Sequence, residues 1–170
     1  FAHGVRLTPE EQRRVGHWYA GLMNAAIWVR EDRQPSRLVG MEPPPLELTP
    51  EDFPIPADFG RVACLAAGLD VGFLARILAS LADAVREGRS VYLIDAPDRL
   101  GDRIALLTFA FPSALRSELT FSTFHDRPEE LPGFRIHGTS PFVRPNRTVL
   151  LSQGRIVDVA SGTCDPPVDP

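Results

Sequence analysis

The feature that most constrains the fold is a change of hydrophobic period in the middle of the chain. Before Gly88, apolar residues recur at helical spacing, whereas Val91–Ile94 is an unbroken apolar run typical of a buried strand. The pattern then predicts a helix over Leu100–Phe111 and a second strand over Leu119–Phe124. Because parallel strands need a long crossover connection, this order predicts two parallel strands, neighbours or near neighbours in one sheet, with a right-handed helical connection.

The half of the chain before that run is predicted to be helical. Asp58 and Asp70 are typical N-cap residues, and Gly68 and Gly88 are typical of helix ends. The predicted helices cover Pro9–Arg30, Phe59–Ala67 and Val71–Glu87.

A proline-rich stretch, residues 34–56, separates the first of these helices from the second and holds seven of the 17 prolines. Prolines remove backbone donors and favour extended chain. Apolar residues such as Leu38, Val39 and Phe53 are interleaved with them, which a fully solvated linker does not need. We therefore expect a strap that lies across the domain; a disordered linker is the alternative.

The last third of the chain is predicted to be β structure. Phe134–His137 has the pattern of one strand, and Thr148–Leu151 and Arg155–Val159 flank a short Gln153-Gly154 turn. We expect the last two segments to form a C-terminal β-hairpin. The predicted fold class is therefore α/β, or α+β: a helical N-terminal half packed on a small mixed sheet with one parallel βαβ crossover and a C-terminal hairpin.

Residues 1–165 are expected to form a single α/β domain excised from a longer chain. A sequence of 170 residues suits one domain. It starts at Phe1 rather than at a methionine, and residues 166–170 are expected to begin a linker. An apolar leader and a run of membrane-spanning length are both lacking, so we expect a cytoplasmic location and no membrane partner.

Charge and composition argue against several chemistries. A net charge of −4 disfavours general nucleic-acid binding. All 18 basic residues are arginine, so this segment lacks a lysine for Schiff-base chemistry or for a phosphate-binding loop. The four histidines and two cysteines have no metal-ligand spacing. We therefore expect no cofactor, no metal and no nucleic-acid partner.

The residues that could carry chemistry lie where the predicted strands end. Asp95 directly follows the first apolar strand, and His125 and Asp126 follow the second. The carboxyl ends of parallel strands are where α/β domains bind ligands, and His137 on the next strand could face that edge. A strand-end acid can hold Mg²⁺ in phosphate-loop ATPases, but the companion glycine-rich loop with a lysine is absent, so we favour Asp95 as a turn residue. Because the sequence has no Gly-x-Ser-x-Gly turn, we favour His125 and Asp126 as partners of loop backbone groups.

Two residues are candidate partner contacts. Trp28 falls off the apolar face of the first predicted helix, so it is the better candidate for an exposed contact with a neighbouring domain. Arg116 precedes the second strand, where it is expected to pair with Glu118 or Asp126, or to donate to a loop carbonyl. Cys64 lies in an apolar helical pattern and is expected to be a small buried hydrophobe.

One stretch resembles a known family. It consists of Phe111–Arg116, then Leu119–Phe124, with Arg135–Thr139 close behind. These segments resemble the middle domain of GTPase-associated proteins, which are multidomain components of bacterial conflict systems built around a GTPase. The resemblance covers roughly Val91–Thr139. It implies an adaptor or effector-associated module whose partners are neighbouring domains of its own chain and a GTPase, and it supplies no catalytic residues.

The sequence thus leaves three hypotheses of function. The favoured one is a non-enzymatic interaction module of a bacterial multidomain protein associated with a GTPase-centred conflict, or defence, system. The alternative is a hydrolase or nucleotide-binding enzyme that uses Asp95, His125, Asp126 and His137. A nucleic-acid binder with arginine patches is disfavoured by the acidic balance and by the dispersed arginines. Convergence of the four side chains in one cleft would favour the enzyme.

Overall fold

The computed structural model describes Glu10, Arg13 and residues 59–130 and 133–165. Glu10 and Arg13 are helical. The rest of the helix predicted over Pro9–Arg30, with Trp28, lies outside the described residues. So do the proline-rich strap and residues 166–170.

Between residue 59 and the sheet there are two α-helices, with the bounds that the capping residues predicted. They are α1 (Phe59–Ala67) and α2 (Val71–Glu87). The carboxylate of Asp70 accepts a hydrogen bond of 2.8 Å from the Phe73 amide, which satisfies one of the free amides of the first turn. Gly88 ends α2 at φ 70°, a left-handed conformation that glycine adopts without a steric penalty.

The prediction that Cys64 is buried is wrong, and the geometry of α1 explains why. Cys64 is exposed rather than buried, and both Cys64 and Cys164 are free thiols. Val62, Leu65 and Ala66 occupy the half-buried face of α1, so Cys64 falls on the opposite face at helical spacing. The apolar residues around Cys64 in the sequence lie on both faces of α1, and only one of these two faces is partly covered by the rest of the domain.

In residues 90–130 and 133–165 the chain forms a sheet of five strands, two connecting α-helices and short 3-10 helices. In chain order they are β1 (Ser90–Ile94), α3 (Pro97–Ala110), β2 (Phe121–Ser122), β3 (Ile136–Thr139), α4 (Arg147–Gln153), β4 (Gly154–Asp158) and β5 (Thr163–Asp165). The strand order is β2-β3-β1-β4-β5. The first four strands are parallel, and β5 is antiparallel to β4. The mixed α/β class predicted from the sequence is confirmed.

The predicted crossover is also confirmed. Strands β1 and β2 are parallel, they are connected through α3, and β3 lies between them. Strand β2 is nevertheless much shorter than the predicted Leu119–Phe124. A short 3-10 helix, Ser113–Glu118, occupies the chain up to Leu119. Beyond Ser122 the backbone crosses close over Gly138, where an added Cβ would lie only 2.3 Å from the Thr123 carbonyl oxygen.

A C-terminal hairpin is present, as predicted, but the segments assigned to it from the sequence are wrong. The segment expected to be its first strand lies in α4, which begins after Asn146, whose side chain accepts a hydrogen bond of 3.4 Å from the Val149 amide. Gly154 is not a turn residue but the first residue of β4, where an added Cβ would meet the Ser90 carbonyl oxygen at 2.1 Å. This glycine therefore permits close approach of β4 to β1. The helix α4 makes a second parallel crossover, and the observed hairpin joins β4 to β5.

Side chains alternate between the two faces of the sheet, and different elements cover each face. Val91, Leu93, Ile136 and Val157 pack in one cluster with α2 and α3. Tyr92, Ile94 and Ile156 form a second cluster with Leu150 of α4. Full burial of each large apolar side chain stabilises the fold by about 1.5–3 kcal/mol. We call these the α2/α3 face and the α4 face.

Candidate functional site

Asp95 lies directly after β1 and has a structural environment. Its side chain is almost fully buried, with one carboxylate oxygen accepting from the Ala96 amide at 2.8 Å. The other oxygen accepts from Nε of Arg103 at 3.1 Å, in an ion pair to α3. Both acceptors of the carboxylate are thus directed at the turn and the helix that follows it. This geometry matches the turn role favoured for Asp95.

His137 is buried on the α4 face. Its ring stacks on Tyr92 of β1, with centroids 4.9 Å apart, and meets the edge of Phe134 at 5.9 Å. Burial lowers the pKa of His137, the nearby Phe134 carbonyl opposes that shift, and the charge of His125 adds to it. Nδ1 of His137 makes no hydrogen bond of good geometry. The imidazole is therefore held neutral in an aromatic setting.

His125 and Asp126 lie in the connection from β2 to β3. Nδ1 of His125 accepts from the Arg127 amide at 3.2 Å and lies 3.5 Å from a carboxylate oxygen of Asp126. The backbone amide of His125 donates to the Gly138 carbonyl at 2.8 Å, which fixes this loop on the end of β3. The ring of His125 thus supports loop backbone, as favoured from the sequence.

Three of the four residues of the enzyme hypothesis lie near one another. His125 contacts Asp126 and lies within electrostatic range of His137, whereas the carboxylate of Asp95 is directed towards α3. The hydroxyl of Ser122, at the end of β2, donates to the Phe124 carbonyl instead of to a histidine. This arrangement differs from an activated nucleophile, in which the base accepts the hydroxyl proton.

Sequence reasoning missed the polar residues around His137. The phenol of Tyr92 donates to Oε1 of Gln153 at 2.7 Å, and burial together with the charge of Glu129 raises the pKa of Tyr92. Oε2 of Glu129 and Oγ1 of Thr139 are buried without hydrogen-bond partners. Tyr92 sits inside the apolar run of β1, so the sequence signals only core packing for it, and no periodicity places Glu129 over the sheet.

Two exposed aromatic side chains were also missed. Phe142 is 84% exposed and Phe124 is 47% exposed. Phe124 follows the end of β2 and Phe142 follows the end of β3. Because these strands are adjacent and parallel, both rings lie at the carboxyl edge of the sheet. We call Phe124 and Phe142 the carboxyl-edge aromatic patch. The proline before Phe142 was the one local signal of a turn that could expose it.

Arg116 has a structural role at the other edge of the sheet. Its guanidinium donates to the carbonyl oxygens of Phe109 and Phe111 and lies 5.1 Å from the centroid of the Phe109 ring. Of the partners expected from the sequence, the loop carbonyl is the one observed. These contacts fix the chain reversal between α3 and β2. The Arg116 guanidinium, which the sequence suggested as a partner contact, is therefore engaged within the domain.

Two further findings limit the chemistry of this part of the chain. Within residues 59–130 and 133–165, together with Glu10 and Arg13, no three His, Cys, Asp or Glu side chains are placed to hold a metal ion. The helices of the same residues are all too short or too polar to cross a membrane.

The fold and the site together define an α/β domain with a mixed, mostly parallel sheet, an exposed aromatic patch at its carboxyl edge and a buried histidine on β3. The family model for GTPase-associated protein 1, middle domain, matches residues 62–161, which is more than half of the chain. The chain therefore belongs to this family, as the resemblance implied. Comparisons with curated proteins and with solved structures find no match.

Proposed function

We propose that this domain is a non-enzymatic interaction module, an adaptor, in a bacterial multidomain protein of a GTPase-centred conflict system. The family membership supports the link to a GTPase. The observation that carries the docking role is the carboxyl-edge aromatic patch, because Phe142 leaves nearly its whole ring in water. Covering such a ring in an interface regains about 1.5–3 kcal/mol of hydrophobic free energy.

The local structure presents Phe142 on a fixed turn. Phe142 belongs to a short 3-10 helix, Pro141–Val143, whose N-cap Ser140 accepts a hydrogen bond of 3.3 Å from the Phe142 amide. Arg144 ends that turn at φ 50°, a left-handed conformation that is uncommon for residues other than glycine. A turn ordered in the free protein lowers the entropy cost of binding. Aromatic side chains held in this way are the typical anchors of protein interfaces.

The charged residues support docking over catalysis. Asp95 is in an ion pair with Arg103, and Nδ1 of His125 accepts a backbone amide. A general base needs an acceptor that is free to reach a substrate proton. Asp95 and Nδ1 of His125, two of the groups that the enzyme hypothesis requires, are therefore engaged in holding the fold.

The experiment measures binding of the full chain to the GTPase encoded with it, and separately to neighbouring domains of the same protein, by calorimetry. Phe142→Ser and Phe124→Ser are expected to weaken binding about tenfold or more, equivalent to about 1.4 kcal/mol. Leu115→Ser is the matched control, because Leu115 is an exposed apolar residue that precedes β2 and so lies at the opposite edge. Equal affinities for the patch variants and the wild type contradict the proposal.

Activity assays on the same protein samples test the enzyme hypothesis. We expect no turnover in esterase, phosphatase, nuclease and nucleoside-triphosphatase assays, with or without divalent metal. Turnover that disappears in His125→Ala or Asp126→Ala would overturn the docking proposal. Trp28→Ala tests the contact that the sequence predicted in a part of the chain that the structure does not describe.

A further inference from the structure

The arginine side chains in residues 76–130 and 133–155 fall into two sets. Most of them are engaged within the domain, in an ion pair, in a hydrogen bond to a backbone carbonyl or over an aromatic ring. These are Arg76, Arg86, Arg89, Arg103, Arg116, Arg127, Arg135, Arg147 and Arg155. In the same residues, the guanidinium groups of Arg99 and Arg144 are exposed and have no such contact. These two groups are therefore the ones available to an external anion.

Both free arginines lie at the carboxyl edge of the sheet. Ile94, the last residue of β1, pairs with Thr139, the last residue of the adjacent parallel strand β3. Arg99 follows β1 in the first turn of α3, and Arg144 follows β3 at the end of the 3-10 turn Pro141–Val143. The arginines that the domain does not use thus accompany the carboxyl-edge aromatic patch.

Arg144 shares one fixed turn with Phe142. Its backbone amide donates to the Pro141 carbonyl at 3.3 Å, and its φ of 50° is the one positive φ of a residue other than glycine in the described part of the chain. A left-handed conformation costs such a residue about 1–2 kcal/mol, so the surrounding turn imposes it. The backbone therefore presents the guanidinium of Arg144 and the ring of Phe142 together.

The described carboxylates of the same edge form no ion pair with either free arginine. Asp126 lies beside His125, and Glu130 pairs with Arg127. Asp98 is in the first turn of α3, where the free amides of the helix stabilise a negative charge. The two guanidinium groups therefore keep their hydrogen-bond donors for a partner. Their planar forks fit carboxylates, which accept two parallel hydrogen bonds from one arginine.

We propose that the carboxyl-edge aromatic patch docks on an acidic surface of a protein partner. That surface has an apolar pocket for Phe142 and carboxylates at the rim of the pocket that receive Arg144 and Arg99. A small anion would engage the arginines but leave the Phe142 ring in water, whereas a protein surface covers both, and aromatic and arginine side chains are the enriched anchors of protein interfaces. This partner chemistry rests on the proposed function.

The test is calorimetry of the full chain with the GTPase encoded with it and with the neighbouring domains, at about 0.1 M and about 1 M NaCl, between which the screening length falls from about 10 Å to about 3 Å. Wild-type binding is expected to weaken about fivefold or more over this interval. Arg99→Gln/Arg144→Gln is expected to bind about five- to tenfold more weakly at the lower salt concentration, as for two exposed ion pairs, and to respond little to salt. Arg144→Glu is expected to bind more weakly than Arg144→Gln, because it places a carboxylate opposite a carboxylate.

Arg86→Gln is the matched control. Arg86 is an exposed arginine in the last turn of α2, which precedes β1, so it lies at the opposite edge, and this variant is expected to bind like the wild type. Since neither free guanidinium contacts the described domain, the thermal unfolding midpoints of the Arg99 and Arg144 variants are expected to equal that of the wild type. Loss of binding is then not loss of fold.

The outcomes separate the two proposals. If Phe142→Ser binds like the wild type, the proposed docking function fails, and the acidic pocket fails with it. If Phe142→Ser weakens binding while Arg99→Gln/Arg144→Gln retains wild-type affinity and salt dependence, the acidic rim alone is overturned. Inorganic phosphate that binds the chain by itself, and is lost in the double arginine variant without a change in protein affinity, would likewise replace the acidic rim with a small-anion site.

Discussion

The two halves of the sheet differ in how firmly their strands are joined. Strands β1 and β4 pair over five residues each, Ser90–Ile94 against Gly154–Asp158, and nearly all of these side chains are buried. Strands β2 and β3 pair over only two residues, and the chain leaves the sheet directly afterwards. The first half is a scaffold, and the second half presents the loop, the histidines and the aromatic patch.

The charges of the two halves differ in the same way. In the β1–β4 half Asp95 pairs with Arg103, and Arg155 pairs with Asp83 and Glu87 of α2. In the β2–β3 half the ionisable side chain of His137 is buried, and this burial lowers its pKa. Fixed ion pairs keep their structure over a wide pH range, whereas a neutral histidine responds to pH in the range between about 5 and 8. The half of the sheet with the short strand therefore contains a buried group whose charge depends on pH.

Breaking an ion pair in the scaffold half is expected to have the largest effect. Arg103→Met removes the partner of the almost fully buried Asp95 carboxylate and leaves that charge uncompensated. Removal of one partner from a buried pair costs about 3–5 kcal/mol. Denaturant unfolding of the wild type and the variant measures the change. In Asp95→Asn/Arg103→Met both charges are absent, so most of the loss is expected to be recovered; a double variant as unstable as the single one contradicts this account.

A matched pair of glycine substitutions compares the two halves directly. Gly154→Ala forces a methyl group against the Ser90 carbonyl between two paired strands, whereas Gly138→Ala forces one against the Thr123 carbonyl, where the chain has already left the sheet. Overpacking costs about 1–3 kcal/mol, and we expect the upper end for Gly154→Ala and the lower end for Gly138→Ala, because the loop can move. Equal losses in thermal and denaturant unfolding would remove the distinction between scaffold and loop.

The elements that could be predicted from the sequence are those determined by local signals. The apolar run Val91–Ile94 and the capping residues Asp70 and Gly88 act locally, so β1 and α2 were predicted with nearly their observed bounds. The short α4 was missed because a seven-residue helix with Val149, Leu150 and Leu151 in succession has the composition of a strand. This segment is helical because it connects two parallel strands, β3 and β4, and the pairing of both strands with the distant β1 is not visible in the local sequence.

The candidate site was predictable only in part, for a related reason. Strand ends identified His125, Asp126 and His137 as neighbours, because the carboxyl ends of parallel strands share one edge. The direction of the Asp95 carboxylate depends on Arg103, eight residues further along on a packed helix, and no strand pattern contains it. The exposure of Phe142 depends on the turn after β3, and an aromatic residue in a sequence is expected in the core.

Loss of Arg116 is expected to have an intermediate effect in the β2–β3 half. Arg116→Ala removes the donor to two carbonyl oxygens and the contact with the Phe109 ring. Hydrogen bonds from charged donors contribute about 1.5–3 kcal/mol where they are well buried, and this side chain is only half-buried, so we expect a loss of about 1–2 kcal/mol. Arg116→Lys provides one donor without the planar fork and is expected to recover less than half. Unfolding by denaturant measures both variants, and an unchanged midpoint in Arg116→Ala contradicts the assignment.

The smallest expected effect is a pH dependence from His137, and its sign follows from burial. The pKa of His137 is lowered in the folded protein, whereas in the unfolded chain a histidine titrates near 6.5. The unfolded state therefore binds more protons below about pH 6.5, and the free energy of unfolding falls there, by at most about 1.4 kcal/mol per pH unit until the folded pKa is reached.

His137→Phe isolates this contribution, because the ring contact with Tyr92 is kept and the other titrating groups are common to both proteins. The difference in unfolding free energy between wild type and variant is expected to be constant above pH 7 and to change in favour of the variant as the pH falls from 6.5 to 5. The same measurement on Arg155→Met in the β1–β4 half is expected to show a difference that does not change over this interval. Parallel curves for wild type and His137→Phe would mean that the β2–β3 half has no greater sensitivity to pH than the scaffold.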